Sequence, residues 1–304
     1  MPKVFWTLST MSLWILFVLA LPSVVDGSPA VTLRPGSESL VTSAHTNSLP
    51  ETAEDTEVYK EGGAVIEEGL EADAMATGEL NPSHYHAQRA AKVVQHYLNT
   101  RHSSPYRRFE LLRVHKANAE EVAGSGRKYH LEISLQETTS NTTAKCSAEV
   151  VFPVGEGQTP PQVQASCGDL SKINTMVQEE ALYQQYKMSH APLTAHNLPD
   201  SDGHIDPSMK PFWYLGGVAA SFIMLKESNE STLYNMAQVA NVTQLETENN
   251  QLRFNYHVLV HDLVSQEIGH WKLLVSWSPP EGVKVLQMEE LPKCDCEAPP
   301  LNAN

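Results

Sequence analysis

The segment Lys128–Gln136 restricts the fold more than any other. Tyr129, Leu131, Ile133 and Leu135 alternate there with Lys128, His130, Glu132, Ser134 and Gln136. A period of two sends one set of side chains to each face of a strand, so the segment predicts a half-buried strand in an antiparallel sheet. Its neighbours fit the same sheet. Asn81-Pro82-Ser83 reads as a helix start, and Ala87, Ala90, Ala91, Val94, Tyr97 and Leu98 follow with the spacing of a one-faced helix. Phe109–Val114 predicts a strand before the central one. Cys146, Ala148, Val150 and Phe152 alternate in a third, and Val163, Ala165 and Cys167 in a fourth.

The same order then repeats. Ser208–Lys226 predicts a helix, with Pro211 confined to its first turn, where proline is tolerated. From Pro211 to Leu225 it carries no charge. That run is shorter than the roughly 20 residues a bilayer requires, so such a helix must be buried in protein. Gly216, Gly217, Ala219 and Ala220 would let a sheet wrap close to it. Strand patterns follow at Leu233–Val242, Leu252–His261, Ile268–Trp277 and Val283–Met288. Between the repeats, Ser171–Ser189 predicts a helix carrying Ile173, Met176, Val177, Leu182 and Tyr186. A loop, Ala191–Asp206, follows with Pro192 and Pro199. The expected fold class is therefore α+β, with two modules over 83–170 and 207–292 joined by a helical linker over 171–206. Each module is a helix wrapped by a four-stranded antiparallel sheet, which is the cystatin-like arrangement.

The chain has a formal charge of −15, spread unevenly. Residues 28–82 hold 11 acidic and 2 basic side chains and one aromatic, Tyr59. Such a segment buries too little to offset its chain entropy and is expected to be a disordered, acidic spacer. The acidity argues against a general nucleic-acid binder, which needs a basic surface. Ahead of the spacer, Lys3, the apolar run Leu13–Leu21 and Val25-Asp26-Gly27 make residues 1–27 a signal peptide cut after Gly27. The alternative is an uncut anchor holding residues 4–21 in a membrane. Both put the chain in the secretory pathway, secreted or anchored by a single pass. The sequons at Asn141, Asn229 and Asn241 are the expected glycosylation sites; Asn141 lies between strands and Asn241 within or beside one.

Cys146 and Cys167 fall on consecutive strands of one hairpin, where side chains can meet, and an oxidising compartment favours a disulfide between them. Two buried thiols are the alternative. Cys294 and Cys296 lie in a proline-rich tail over 293–304 and leave intermolecular pairing or free thiols open. Catalytic and metal signatures do not emerge. His257 and His261 are four apart, which converges on a helix but not on a strand, so they read as solvent-face residues. His84 and His86 at a helix start read the same way. Asp200-Ser201-Asp202-Gly203 imitates part of a calcium loop. Aligned on its glycine, the first and twelfth ligand positions are Leu198 and Met209, so a turn is expected. Gly124-Ser125-Gly126 reads as a hairpin turn. No cofactor is expected. The hairpin motif by which cystatins inhibit papain-like enzymes has its nearest match at Gln238-Val239-Ala240-Asn241-Val242, which lacks the third-position valine and the final glycine.

Several stretches, in order, resemble the latexin family. They include Ser104-Pro105-Tyr106-Arg107-Arg108-Phe109-Glu110, Cys146-Ser147-Ala148-Glu149-Val150, Phe254-Asn255-Tyr256-His257-Val258-Leu259-Val260-His261, Ser265-Gln266-Glu267-Ile268 and Trp277-Ser278-Pro279. The resemblance spans about residues 83–292. It implies two cystatin-like subdomains and a non-catalytic inhibitor of zinc metallocarboxypeptidases of the A/B class, which blocks the funnel over the catalytic zinc. The expected inhibitory turn is Glu246, Thr247, Glu248, Asn249 and Asn250. The family tends to read Asn-Asp-Asp where this chain reads Glu248-Asn249-Asn250. The alternative is a secreted or membrane-associated interaction or matrix protein, growth-regulatory in role, that keeps the scaffold without the inhibition.

Overall fold

The computed structural model describes residues 77–155, 159–168, 170 and 173–292. The signal segment, most of the acidic 28–82 stretch, and Cys294 and Cys296 lie outside the described residues. Among the described residues the fold is α+β, with three helices and two antiparallel sheets of five strands. No described helix is long and apolar enough to cross a membrane.

The first sheet is a meander of β1 (Gly78–Leu80), β2 (Phe109–Val122), β3 (Gly126–Glu137), β4 (Thr143–Phe152) and β5 (Gln162–Cys167), with helix α1 (Tyr85–His102) against its inner face. Ala87, Ala90, Ala91, Val94 and Leu98 of α1 pack on Tyr129, Leu131, Ile133, Leu135 and Val150 in one core. Alanines along the helix keep α1 close to the strands. The alternation along β3 holds as expected, with its odd-numbered apolar residues inside. Cys146 and Cys167 are direct register partners on β4 and β5 and are joined by a disulfide.

The second sheet has the order β10 (Gly282–Glu290), β9 (Ile268–Ser278), β8 (Gln251–Asp262), β7 (Tyr234–Glu248), β6 (Thr194–Leu198), with helix α3 (Lys210–Glu227) against it. Phe212, Leu215, Ala219 and Ile223 of α3 meet Val239, Phe254, Tyr256, Val258, Leu273 and Trp277. Helix α2 (Met176–Lys187) lies between the two sheets in sequence.

Each sheet has one strand more than the sequence suggests. Strand β1 precedes residue 83, where the sequence places the first element; only Leu80 of β1 is buried, so three residues carry almost no periodic signal. Strand β6 forms inside the expected loop Ala191–Asp206. It is an edge strand bracketed by Pro192 and Pro199, and edges tolerate proline. Strand β7 runs on to Glu248, past the expected Val242; register shifts at three places break the alternation that would have marked its end. Helix α2 is shorter than Ser171–Ser189, and Met176 and Val177 stand exposed while Leu182 and Tyr183 are buried. The Asp200–Gly203 segment is the expected turn. The Asp200 carboxylate accepts the Asp202 and His204 N–H groups, which satisfies local backbone donors. The Gly124–Gly126 turn also forms, and both glycines have positive φ. His86, expected on a solvent face, is buried beside the rings of His84 and Tyr85.

The uncharged face of α3 is apolar all round because both sides are covered. A side chain at Gly216 would strike Val239 of its own sheet, 2.7 Å from the added carbon. One at Gly217 would meet Arg108 of the first half, with Nη1 at 3.1 Å. Helices α1 and α3 pack on one another there. The Arg108 guanidinium, nearly fully buried, faces the Trp213 ring with Cζ 4.9 Å from its centre. Further bonds cross the same junction. Arg89 Nη1 donates to the Glu230 carbonyl (2.8 Å), and the Tyr129 hydroxyl donates to the Glu230 carboxylate (2.6 Å).

His96 of α1 also reaches across, its Nε2–H donating to the Tyr234 carbonyl at 3.2 Å. Burial, then the positive charges of Lys92 and Arg108, lower its pKa from 6.5 to about 3. His96 is therefore neutral in the fold and protonates in the unfolded chain as pH drops below 6.5. Its stabilisation is complete above pH 6.5 and is lost as pH falls toward 3, at up to about 1.4 kcal/mol per pH unit. Urea midpoints of the wild type should fall steeply across that window, and His96→Gln, which keeps a donor for Tyr234, should flatten the slope.

Candidate functional site

The expected inhibitory turn lies at the tip of the long hairpin of β7 and β8. Only two of its five residues are turn residues. Glu248 pairs with Gln251, so Glu246, Thr247 and Glu248 belong to the end of β7, and Asn249-Asn250 alone makes the connection. The shift between Leu245 and Glu248 leaves Glu246 and Thr247 on a bulge without register partners before Glu248 pairs again, so the turn itself is narrower than expected. Both asparagines have positive φ, 52° and 59°. Two left-handed residues in succession are the geometry of a tight hairpin whose twist matches its strands, and asparagine adopts it more readily than other non-glycine residues. All five residues from Glu246 to Asn250 are exposed.

The tip is held by its neighbours. The Tyr183 hydroxyl of α2 donates to the Asn250 carbonyl at 2.6 Å, and Lys187 Nζ reaches Asn250 Oδ1 at 3.3 Å. Tyr183 is itself buried edge-on against Trp277 of β9. Glu248 pairs with Arg253 across the hairpin. Gln251 Nε2 donates to Glu281 in the β9–β10 turn at 2.6 Å. Farther down β7, the buried Gln244 side chain donates to the Tyr186 carbonyl and accepts from the Leu193 N–H.

Helix α2 is in turn tied to the first half. The buried Glu179 carboxylate accepts the hydroxyls of Ser104, at 2.6 Å, and Thr175. Arg107 Nη1 donates to the Ile173 carbonyl at 3.1 Å. A continuous chain of hydrogen bonds thus runs from the residues after α1, through α2, to the tip of a hairpin in the second sheet. The sequence predicts a helical linker here but gives no sign of the tyrosine's role. Tyr183 falls between Leu182 and Tyr186, the apolar positions that the sequence marks on this helix, and so carries no signal of its own.

The remaining sequence candidates lie apart from this tip. Asn141, with a φ of 57°, and Asn229 are exposed in loops. Asn241 sits mid-strand between His196 and His257, half-buried. The disulfide is in the other sheet. Among the described residues no group of three or more His, Cys, Asp or Glu side chains is placed to hold a metal.

The sequence model of the latexin family matches residues 80–295, which takes in both sheets and the linker. The chain belongs to the latexin family. Mouse latexin is 35% identical over 217 residues, covering 71% of this chain and 97% of latexin. Human retinoic acid receptor responder protein 1 is 32% identical over 209 residues, covering 65% of this chain and 70% of that protein. Among solved structures, mouse fetuin-B aligns over 71% of each chain with a TM-score of 0.24 and 12% identity, a likeness too remote to bear on this member of the latexin family.

If the tip is held as described, Tyr183→Phe should weaken it by about 1 kcal/mol, the scale of one lost hydrogen bond. The expected result is faster amide exchange at Asn250 and Gln251 with no change in β3. Asn250→Gly, which removes the left-handed penalty, should leave stability unchanged or slightly raised.

Proposed function

We propose that this latexin-family chain is a non-catalytic inhibitor of zinc metallocarboxypeptidases of the A/B class, and not an enzyme. It acts by inserting the Asn249-Asn250 tip into the funnel above the catalytic zinc and capping the rim with the surrounding sheet and linker. In this reading the two halves are cystatin-like modules and α2 is the helical linker between them. The observation that carries the proposal is the bracing of the tip by Tyr183 and Lys187 from α2. A blocking element loses little freedom on binding when it is already fixed, and a preorganised loop converts more of its contact energy into affinity.

The proposed route is the secretory pathway, secreted or anchored through residues 4–21. Asn141 and Asn229 have the exposure that glycan transfer needs. A second reading, a matrix or interaction protein without inhibitory activity, draws on the Glu248–Arg253 pair. That pair engages the charge next to the turn within its own hairpin.

The test is inhibition of carboxypeptidases A and B by the full purified chain, with zinc in excess so that loss of metal from the enzyme contributes nothing. The expected result is tight, non-hydrolytic inhibition that falls at least about tenfold when Asn249 and Asn250 are both replaced by bulky residues, as for other central contacts of an interface. Absence of inhibition at micromolar concentration would leave the second reading standing.

A further inference from the structure

On β8, Leu252, Phe254, Tyr256, Val258 and Val260 face the core, so the odd-numbered residues line the outer face of the second sheet. His257 is one of them. Its register partner on β9 is Lys272, and His270 is the partner of Leu259. The two histidines are therefore diagonal neighbours on one face. His257 Nε2 and His270 Nδ1 lie 3.2 Å apart, within hydrogen-bond distance, so in the metal-free protein one ring's N–H donates to the other's lone pair; the ring centres are 5.3 Å apart and the ring planes at 45°. Both side chains are half-buried, which limits their freedom.

We infer that His257 and His270 form a two-histidine chelate for one divalent transition-metal ion of the imidazole-preferring class, Zn2+ or Cu2+. The distances fit. Two nitrogens each about 2.05 Å from a shared Zn2+ and separated as these are would subtend an angle of about 100° at the metal, close to tetrahedral. With the metal in line with both lone pairs, the ring centres would lie about 5 Å apart, a few tenths of an ångström closer than here; the rings would tilt toward the ion, and the proton between them would move to the other nitrogen of its ring. Burial, then the neighbouring His270, lowers the pKa of His257, which keeps its nitrogen in the neutral, metal-binding form. Lys272 and Asn241 flank His257 in the register, and Glu289 is the register partner of Lys272. The outward positions of the ion are open to water or to a donor from another molecule.

Spacing in the sequence conceals the pair. His257 and His261 look like partners by number, but along a strand four residues separate them by about 13 Å. The true partner comes from the adjacent strand. The site lies on the sheet face and not at the Asn249-Asn250 tip, so it stands or falls independently of the inhibitory reading.

The test uses the full chain, stripped of metal and titrated separately with Zn2+ and Cu2+ in competition with a chromophoric chelator. The wild type should bind one equivalent in the micromolar range, more tightly for Cu2+ than for Zn2+. His257→Gln and His270→Gln should each weaken that binding by at least about tenfold, since each removes one of two ligands. His261→Gln, on the same strand and face, should not. Saturating Zn2+ should raise the Tm of the wild type and of His261→Gln but of neither pair variant. Binding that survives either pair variant, or no binding in the micromolar range by a wild type of unchanged circular dichroism, would overturn the chelate.

Discussion

The Arg108 guanidinium pressed against Gly217 is the contact on which the arrangement of the two halves depends. Arg108 leaves the start of the first sheet just before β2, and its charged plane lies over a glycine in the middle of α3, facing Trp213. An arginine can be buried in this way because its flat, weakly hydrated cation stacks on an aromatic ring and on backbone. The glycine is what lets it approach. Around that contact, α1 and α3 pack, and Arg89, Tyr129 and His96 bond to the loop and strand that follow α3. Helix α3 is therefore the shared core of both halves, and its lack of any charged residue from Pro211 to Leu225 follows from that position.

The linker depends on this fixed junction. Helix α2 has only a narrow buried face, Glu179, Leu182 and Tyr183, and could not hold its place by apolar packing alone. Hydrogen bonds hold it at both ends, Glu179 and the Ile173 carbonyl toward the first half and Tyr183 and Lys187 toward the β7–β8 tip. A two-residue turn with two left-handed asparagines gains a fixed position from partners outside its own hairpin. That is the physical content of the inhibitory proposal, and it resides in positioning rather than in any reactive group.

Much of this was legible in the sequence, and the rest failed for identifiable reasons. Strict alternation in β3 and β8, and helical spacing in α1, identified the main elements because each has one buried face and one wet one. Cys146 and Cys167 could be paired because the hairpin places them directly opposite. The edge strands β1 and β6 were invisible, since an edge strand of three to five residues buries one or two side chains. The bulges in β7 hid its last residues and so blurred the turn. Tertiary partners left no local trace. Nothing in the spacing of His257 points to His270, and nothing near Gly217 points to Arg108 more than a hundred residues earlier.

The central claim is that both halves and the linker form one cooperative body. Native-state hydrogen exchange of the full chain across a urea series tests it most directly, through the slowest amides of β3 and of β8. If the junction holds the halves together, both strands exchange through one global opening, with the same free energy and the same dependence on urea. A lower opening free energy and a shallower urea slope for β3 than for β8 would mean that the first half unfolds alone, and would contradict the account.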